Sequence, residues 1–295
     1  MSINPIGEFE RTPGGAVLMD GIRLRGEIIA GLRSTIEAAG NPAVCLATVL
    51  VGDDKPSQSY IRSKQKKAGE AGIQSRHTDL PATASQAQVN DTIAELAADP
   101  AVHGILCQFP LPDGLDMEQV LEQIPFEKDV DGLHPTNLGR LVMGAPGPLP
   151  CTPAGIVELL AAHKVPVEGR HVVVIGRGLT IGRPLSLLLA MRRPGCNAAV
   201  TVVHTGVDDL ASIVRTADVV VAAAGVAGLV TKDMVKPGAA VVGAGTSWSG
   251  KKLMSDVDDA VAEVAGWITP RIGGVGPMTR AMLLRNAVLA AEKVR

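Results

Sequence analysis

A tyrosine and a lysine one helical turn apart are the residues of this chain whose types and spacing best suit chemistry. Tyr60 is the only tyrosine among 295 residues; Lys64 follows it by four positions and Ser57 precedes it by three. Residues at i and i+4 share a helix face, so a phenol, an amine and a hydroxyl would project together. Lys64 could carry a proton, and the Tyr60 ring offers an aromatic surface beside it. The alternative, that Lys64 only solvates the helix surface together with Lys66 and Lys67, stays open on spacing alone.

The elements around the pair favour a site over a solvated surface. The apolar run 44–51 is followed by Gly52 and by Pro56, which predicts a buried strand, a tight turn and a helix start. Side chains just beyond the carboxyl end of a parallel strand lie where α/β folds place their sites. The sequence therefore places Lys64 near such an edge.

The composition predicts a parallel α/β protein. Apolar residues make up 46% of the chain and aromatic residues only 2%, so Ala, Val, Leu and Ile must build the core. Apolar strands alternate with amphipathic helices, which is typical of this class. We expect a domain crossover near Pro150, helices over 21–39, 56–71 and 85–98, and strands over 44–51, 73–78, 103–108, 171–175, 199–203, 219–222 and 239–243.

Charge and cysteine usage exclude several classes of protein. The net charge of −2 and the scarcity of aromatic residues give no support to nucleic-acid binding. The N-terminus lacks a signal-peptide pattern and the longest apolar stretch, 219–230, is too short to span a membrane, so we expect a soluble, cytoplasmic protein that binds a small molecule. The cysteines lack metal-ligand spacing and are interpreted as reduced, mostly structural thiols: Cys45, Cys107, Cys151 and Cys196.

A glycine-rich turn after an apolar strand is the sharpest phosphate-binding pattern. The run 172–175 leads into Gly176, Gly178 and Gly182, and a helical segment follows. Glycines let the backbone approach a pyrophosphate, and the start of a helix favours its negative charge. The spacing is G-x-G-x-x-x-G rather than G-x-G-x-x-G, so the strand before and the helix after it carry the assignment.

The second strand of this unit predicts which dinucleotide binds. Ordinary NAD-binding folds carry an acidic residue at the end of that strand, whereas here the strand ends at His204 and Thr205. Arg177 lies inside the glycine-rich turn, and its guanidinium with a hydroxyl could meet a ribose phosphate. This favours NADP over NAD. A solvated turn residue is the equally weighted alternative for Arg177.

Three further clusters complete the set of motifs. Gln108 stands at a strand end beside Pro110, where its amide could orient a lysine amine. Asp129 and Asp131 flank a turn, although an Asp-Gly pair alone more often forms the turn than binds a ligand. A glycine-rich turn over 273–279 opens the last helix, with Pro277 expected at its first position. The Pro- and Gly-rich region 109–153 is interpreted as connectors or site-forming loops.

The five segments, in this order, resemble the bifunctional methylenetetrahydrofolate dehydrogenase/methenyltetrahydrofolate cyclohydrolase family. The likeness covers residues 18–295 and also rests on the segments 128–135 and 150–153. Short-chain dehydrogenases share the Tyr-x-x-x-Lys pair, but there the glycine-rich turn precedes it, whereas Gly176 follows Lys64 here. The resemblance implies two α/β domains with a cleft between them, the second a Rossmann-like NAD(P)-binding domain. The implied domains are residues 1–149, completed by a C-terminal helix at about 270–295, and residues 150–269.

The resemblance also implies an activity, its cofactor and its residues. Family members oxidise 5,10-methylenetetrahydrofolate with NADP, less often NAD, and hydrolyse the methenyl product to 10-formyltetrahydrofolate at the same site, a source of one-carbon units for purine biosynthesis. They are typically homodimers. The implied catalytic residues are Lys64, Tyr60, Gln108 and Asp131; the folate contacts are Ser57, Tyr60, Gln108, Pro110, Asp131, Gly276, Pro277 and Thr279; the NADP contacts are Gly176, Arg177, Gly178, Ile181, Gly182, His204 and Thr205. A single-activity member and a non-catalytic folate or nucleotide binder are the alternatives.

The chain departs from the family pattern at a few positions. Ile272 stands where the last glycine motif usually has a proline, and Gly243 stands where a strand usually ends in an aspartate, which removes a carboxylate beside the cofactor. Cys107 and Phe109 replace more usual aliphatic residues around Gln108. Lys64, Tyr60, Gln108 and Asp131 are all retained, which disfavours a pure binding protein, because a binder does not need an oriented lysine.

Overall fold

The computed structural model describes residues 9–250 and 252–293, except for the side chains of 55, 56, 59 and 60. The strands are β1 (Val17–Leu18), β2 (Cys45–Val51), β3 (Gln74–Leu80), β4 (Gly104–Cys107), β5 (His171–Ile175), β6 (Ala199–Val203), β7 (Val219–Ala222), β8 (Ala240–Gly243), β9 (Thr246–Ser249), β10 (Lys252–Ser255) and β11 (Trp267–Ile268). The α-helices are α1 (Gly21–Ala38), α2 (Lys55–Glu70), α3 (Gln86–Ala98), α4 (Met117–Gln123), α5 (Pro135–Met143), α6 (Cys151–Ala162), α7 (Gly182–Ala190), α8 (Leu210–Val214) and α9 (Val275–Lys293).

The chain divides into two compact units, and each has its own sheet. The three-stranded unit comprises Gly26–Cys151 and the part of α9 from Arg280 onward; the six-stranded unit comprises the described residues up to Arg25 together with Thr152–Thr279. These units group two segments differently from the implied domains, because the described residues up to Arg25 and residues 270–279 lie in the six-stranded unit. At the N-terminus, β1 pairs with β11 and so adds residues 17–18 to the six-stranded sheet.

The three-stranded sheet is parallel, with strand order β3-β2-β4. The central strand β2 is buried along its whole length, as expected for an apolar run covered on both faces. From β2 the chain passes through α2 to β3 on one side, then through α3 to β4 on the other. The order of the strands therefore reverses between β2 and β4, and the carboxyl ends of these two strands form a topological switch point.

The six-stranded sheet has the order β1-β11-β8-β7-β5-β6, and all of its pairs are parallel. The chain passes from β5 to β6 on one side and then returns to β7 on the other side of β5. The switch point of this unit thus lies between β5 and β7, as in a nucleotide-binding fold. Its core is built from Val, Ala, Ile and Met side chains, without a buried aromatic ring among them. The expected α/β class is confirmed.

The strands and helices that we predicted lie within two residues of their expected bounds. Other elements of the structure were not expected from the sequence. The region 109–153, expected to consist of connectors or loops, contains α4 and α5, because Asp116 and His134 accept hydrogen bonds from the first turns of these helices. The β9-β10 hairpin was not predicted. In the described part of the chain, no helix has the length and apolar character needed to cross a membrane.

Candidate functional site

Lys64 and Gln108 form a direct hydrogen bond in the three-stranded unit. The Lys64 Nζ atom donates to Gln108 Oε1 over 3.0 Å. The Gln108 Nε2 atom donates to the Phe109 carbonyl over 2.6 Å, so the amide cannot present its nitrogen to the lysine without losing that bond. Gln108 therefore presents its oxygen to the amine, and its role in orienting Lys64 for catalysis stays a prediction.

The switch point of the three-stranded sheet brings these two residues together. Lys64 lies in α2, the helix that follows β2, and Gln108 directly follows β4. The N–H of Gln108 donates to the Val49 carbonyl, which continues the β2-β4 ladder to the end of the strand. At the start of α2, the Asp54 carboxylate accepts the N–H of Ser57 over 2.8 Å and thereby caps the helix. The amine is held at a defined position at the sheet edge.

Burial changes the acid-base properties of Lys64. The residue is only 4% exposed, so it is not a surface lysine like Lys66. Desolvation of the ammonium lowers the pKa of Lys64 from 10.5 to about 8; the negative charge of Asp131 opposes this effect, and the Arg280 guanidinium adds to it. An amine with this pKa is partly neutral near physiological pH and can accept a proton.

Asp131 lies beside the lysine at the end of a strand-like segment. The segment forms a parallel bridge between Asp129 and Ile105 of β4, and Gly104 permits this approach, because a Cβ there would lie 2.3 Å from a methyl carbon of Val130. Burial raises the pKa of the Asp131 carboxyl, the Lys64 charge lowers it, and the Asp129 charge raises it further. Burial thus disfavours the charged form of both Asp131 and Lys64.

A second carboxylate, Asp129, holds the turn that carries Asp131. Asp129 is 2% exposed. Its Oδ1 atom accepts the N–H of Gly132, and its Oδ2 atom accepts the N–H of His134 and the side-chain amide of Asn137, each over 2.9 Å. Two acidic residues around one turn therefore have different tasks: Asp129 stabilises the loop internally, and Asp131 is left to interact with Lys64.

Replacing Asp129 by Ala is expected to destabilise the three-stranded unit strongly. Three donors would lose their acceptor in a buried loop, which should lower the free energy of unfolding by about 3 kcal/mol or more. Urea unfolding of the purified variant measures this loss. Asp113→Ala is the matched control, since Asp113 is exposed in a turn of the same unit. Equal stabilities of the two variants would contradict the role given to Asp129.

Two residues to which the sequence analysis gave no role in the site also hold this segment. The Cys151 thiol donates to the Val130 carbonyl over 3.1 Å, and Asn286 Nδ2 donates to the carbonyls of Val130 and Leu149 over 3.0 and 3.1 Å. Burial raises the pKa of Cys151 well above its ordinary value, so the residue stays a thiol. Cys151 belongs to the 150–153 motif and was interpreted only as a structural thiol, and no sequence signal pointed to Asn286.

The other folate residues expected in this unit differ in how they are placed. Ser57 is buried in the first turn of α2, and Pro110 is exposed after Gln108. Tyr60 belongs to α2, but its side chain lies outside the described residues. The roles of Ser57, Tyr60 and Pro110 as substrate contacts stay predictions.

The glycine-rich turn lies at the switch point of the six-stranded unit. A Cβ on Gly176 would lie 2.3 Å from the Ala223 carbonyl oxygen, and one on Gly182 would lie 2.1 Å from the Gly176 carbonyl oxygen. Both glycines are required by backbone packing, and Gly176 also has a positive φ of 116°. A Cβ on Gly178 would meet no atom within 4 Å, so this residue leaves open space in front of the turn. The turn suits a pyrophosphate.

The first turn of α7 offers few free backbone N–H groups to a ligand, although it directly follows the glycine-rich turn. Ile181 is the N-cap and makes no side-chain cap hydrogen bond. However, the N–H of Arg183 already donates to the Gly178 carbonyl over 3.1 Å, and Pro184 has no N–H. The turn therefore favours a ligand through close backbone approach more than through free amides of the helix.

Arg177 and His204 face each other at the ends of β5 and β6. The Arg177 Nη1 and His204 Nε2 atoms are 3.3 Å apart, and the N–H of Gly206 donates to His204 Nδ1 over 3.1 Å. Because Nδ1 is an acceptor, the ring proton is assigned to Nε2, on the side of the guanidinium. Two donors then converge, and an anion placed between them would accept from both. Thr205, next in the chain, is exposed.

The last glycine motif belongs to the six-stranded unit. Helix α9 begins at Val275, two residues before Pro277, so the expectation that Pro277 is the first helical residue was wrong. A proline is still tolerated there, because N–H groups of a first helical turn have no acceptor within the helix. The Thr279 hydroxyl lies 3.0 Å from that of Thr152, and Gly276 is exposed.

The two departures from the family pattern have different structural settings. Ile272 is 67% exposed, before Gly273, whose φ is 102°. At Gly243, an added Cβ would lie 2.6 Å from the Ser255 hydroxyl oxygen, so Ser255 occupies the space that a larger residue would need.

Among the described residues, no group of three or more His, Cys, Asp or Glu side chains could hold a metal ion.

Comparisons with known proteins match most of the chain to the two domains of one family. Residues 19–131 match the catalytic domain of the tetrahydrofolate dehydrogenase/cyclohydrolase family, and residues 150–295 match its NAD(P)-binding domain. A relative from Salinispora tropica, named bifunctional protein FolD 1, is 54% identical over 283 residues, which is 96% of this chain and 91% of the relative. A bifunctional protein FolD from Syntrophotalea carbinolica is 54% identical over 248 residues, covering 84% of this chain and 86% of that protein.

Solved structures show the same likeness. The bifunctional FolD enzyme, methylenetetrahydrofolate dehydrogenase/cyclohydrolase, from Campylobacter jejuni has a TM-score of 0.90 and 40% identity, and the match covers 94% of this chain and 99% of that one. The Trypanosoma brucei enzyme, solved with NADP and an inhibitor, has a TM-score of 0.89 and 37% identity over 95% and 99% of the two chains. The chain belongs to the tetrahydrofolate dehydrogenase/cyclohydrolase family.

Proposed function

We propose that this protein oxidises 5,10-methylenetetrahydrofolate with NADP and hydrolyses the resulting methenyl compound to 10-formyltetrahydrofolate. Family membership and the relatives named as bifunctional enzymes support both activities. The observation that carries the proposal is the buried Lys64 amine, aimed by Gln108 and paired electrostatically with Asp131. A protein that only binds folate has no use for a desolvated, oriented amine.

Lys64 is the proton-handling residue of this proposal. The methenyl substrate is a cationic imidazolinium, and water must lose a proton as its oxygen bonds to the one-carbon unit. The neutral Nζ atom of Lys64 accepts that proton and becomes an ammonium, which can then protonate the nitrogen released when the ring C–N bond breaks. A cationic substrate nearby lowers the pKa of Lys64 below its already reduced value of about 8. The substrate itself therefore favours the neutral base.

Asp131 is proposed to hold the pterin ring and not to move protons. A carboxylate accepts two parallel hydrogen bonds from the amino edge of such a ring. Its desolvated position strengthens these bonds, because no water competes for the oxygens. Tyr60 and Ser57 from α2, Pro110 after β4, and Gly276, Pro277 and Thr279 of the last glycine motif are the further proposed folate contacts.

The cofactor is proposed to be NADP, held by the glycine turn of the six-stranded unit. When bound, NADP supplies the redox chemistry by accepting a hydride. The open space at Gly178 and the close packing at Gly176 and Gly182 fit a pyrophosphate, with Ile181 beside it. The converging donors of Arg177 and His204, with the Thr205 hydroxyl, fit a ribose phosphate, which NAD lacks.

The protein is further proposed to be a cytoplasmic homodimer that provides one-carbon units for purine biosynthesis. The family resemblance supports the dimer, which the molar mass in solution tests. All four cysteines are free and buried, as expected of a reducing compartment, and fractionation of the source cells tests the location.

A two-wavelength assay of the purified protein tests the proposed function. With 5,10-methylenetetrahydrofolate and NADP, we expect NADPH absorbance to rise; with the methenyl compound alone, its absorbance should fall without added cofactor. Turnover of only one substrate would establish a single-activity member, and no turnover of either would leave only binding. A comparable kcat/KM with NAD would contradict the assignment of NADP.

A further inference from the structure

Asp256 is a fully buried carboxylate in the six-stranded unit that no motif of the sequence analysis included. Its exposure is 0%, and it directly follows β10. The Oδ2 atom accepts the N–H of Ala224 over 2.7 Å and the N–H of Gly225 over 2.9 Å. Two consecutive backbone amides therefore depend on one carboxylate oxygen. A buried polar group is retained only where such hydrogen bonds stabilise it.

The loop that Asp256 holds lies at the switch point of the sheet. The segment 223–225 follows β7, the neighbour of β5, and the glycine-rich turn follows β5. The Ala223 N–H donates to the Ile175 carbonyl over 2.7 Å, and the Ala223 carbonyl oxygen lies only 2.3 Å from where a Cβ of Gly176 would be. The loop is thus packed directly against the turn. Ligands of open α/β sheets bind in the crevice between two such loops.

The surrounding glycines leave room for this carboxylate. An added Cβ on Gly245, two residues after β8, would lie 2.0 Å from Asp256 Oδ2, so a side chain at 245 would displace the carboxylate. The N–H groups of Ala244 and Gly245 both donate to the Ala222 carbonyl, which ties the residues after β8 to the end of β7, where the 223–225 loop begins. The carboxylate that the family pattern places at 243 is absent here, and Asp256 provides a carboxylate next to that strand end from a different segment.

We propose that Asp256 is the positioning residue for cofactor binding, because it fixes the 223–225 loop as one wall of the dinucleotide crevice. The proposal rests on the proposed function of the six-stranded unit as the NADP-binding unit. Asp256 lies beneath the loop and does not itself contact the cofactor. Without the carboxylate, the amides of Ala224 and Gly225 would lose their acceptor and the loop would move from its place beside Gly176.

Two substitutions at Asp256 separate its hydrogen bonds to the loop from the mere presence of a carboxyl group. Asp256→Ala removes both bonds, and we expect the Kd for NADPH, measured by the change in NADPH fluorescence on binding, to rise by about tenfold or more. In Asp256→Asn, the amide oxygen can accept both N–H groups and the NH₂ group takes the place of Oδ1, which has no partner among the described residues. We expect this variant to bind NADPH nearly as tightly as the wild type.

The controls distinguish positioning from general damage. Both tryptophans of the chain, Trp248 and Trp267, belong to the six-stranded unit, so their fluorescence during urea unfolding reports whether that unit is folded. Asp259→Ala is the matched control: Asp259 lies three residues further along, is exposed and faces Arg271 at 3.9 Å. Cyclohydrolase activity assayed without cofactor should be retained in all three variants.

Each outcome decides the proposal. If Asp256→Ala binds NADPH as tightly as Asp259→Ala, the positioning role is wrong. A loss of cyclohydrolase activity equal to the loss of NADPH affinity, or an unfolded Asp256→Asn variant, would show that the residue serves stability alone. A wild-type protein that does not bind NADPH would instead refute the proposed cofactor. A selective rise in the KM for NADP, with the KM for the folate unchanged and recovery in Asp256→Asn, supports it.

Discussion

Lys64→Met is expected to lower the cyclohydrolase rate by about 100-fold or more, the usual contribution of a positioned general base. Methionine has a similar length and is unbranched, but it cannot accept the proton of the attacking water. Hydride transfer needs no base at this position, so the dehydrogenase rate should fall much less. The two-wavelength assay measures both rates on one preparation. Lys66→Met is the control, because Lys66 is exposed on the same helix.

The pH dependence gives a second, independent test of the base. The wild-type cyclohydrolase rate should rise as Lys64 loses its proton, with an apparent pKa at or below about 8, and should level off above it. The apparent pKa from kcat, which reports the enzyme–substrate complex, should be lower than the apparent pKa from kcat/KM, which reports the free enzyme. The reason is that the cationic substrate disfavours the charged form of Lys64. A rate in Lys64→Met with the same magnitude and the same pH profile would remove Lys64 from this role.

The same variant should also be more stable than the wild type at neutral pH. Below pH 8, Lys64 is protonated in the folded and unfolded chains, and the full penalty of burying the ammonium is present. The pKa shift from 10.5 to about 8 corresponds to about 3 kcal/mol, from which the unpaired Gln108 oxygen removes about 1 kcal/mol. Between pH 8 and 10.5 the penalty fades, since only the unfolded chain keeps the proton, so the advantage of the variant should shrink. Urea unfolding of the variant and the wild type at the two ends of this pH range measures the difference in their free energies of unfolding.

The sequence could predict the Lys64 site because its main determinants are local. An apolar run followed by Gly52 and a capped helix start places Lys64 behind a strand, and a second strand places Gln108 at the same edge of a parallel sheet. From the sequence alone, only the direction of the shift in the Lys64 pKa could be expected, and not its size. Its size depends on Asp131 and Arg280, which lie 67 and 216 positions beyond Lys64 in the chain.

The residues that support the two sites could not be predicted from local patterns. Asp129 was interpreted as part of a turn, and Asp256 was not considered, because each carboxylate is defined by the backbone amides that reach it from other segments. The place of residues 17–18 in the six-stranded sheet likewise depends on a distant segment. Two residues of β1 carry no signal of their own, and only pairing with β11 assigns them to the six-stranded sheet.

Gly182→Ala is expected to weaken NADPH binding severely and to destabilise the turn, whereas Gly178→Ala should weaken binding without unfolding the turn. A Cβ at 182 would lie 2.1 Å from the Gly176 carbonyl oxygen, a backbone atom that cannot move without changing the end of β5. We expect an affinity loss of about 100-fold or more and a decrease of about 3 kcal/mol in the stability of this unit. At 178, a Cβ meets no protein atom within 4 Å, so stability should not change.

The contrast between the two glycines separates the packing of the turn from contact with the cofactor. If the pyrophosphate lies against Gly178, a methyl group there must push it away, and the Kd for NADPH should rise by about tenfold at unchanged stability. NADPH fluorescence titration and urea unfolding followed by tryptophan emission measure the two quantities. Gly139→Ala, in open space on α5 of the other unit, controls for the added methyl group. Unchanged NADPH affinity in Gly178→Ala would show that the pyrophosphate does not lie against Gly178. The protein itself leaves space for a methyl group there, so only a bound ligand could be displaced by it.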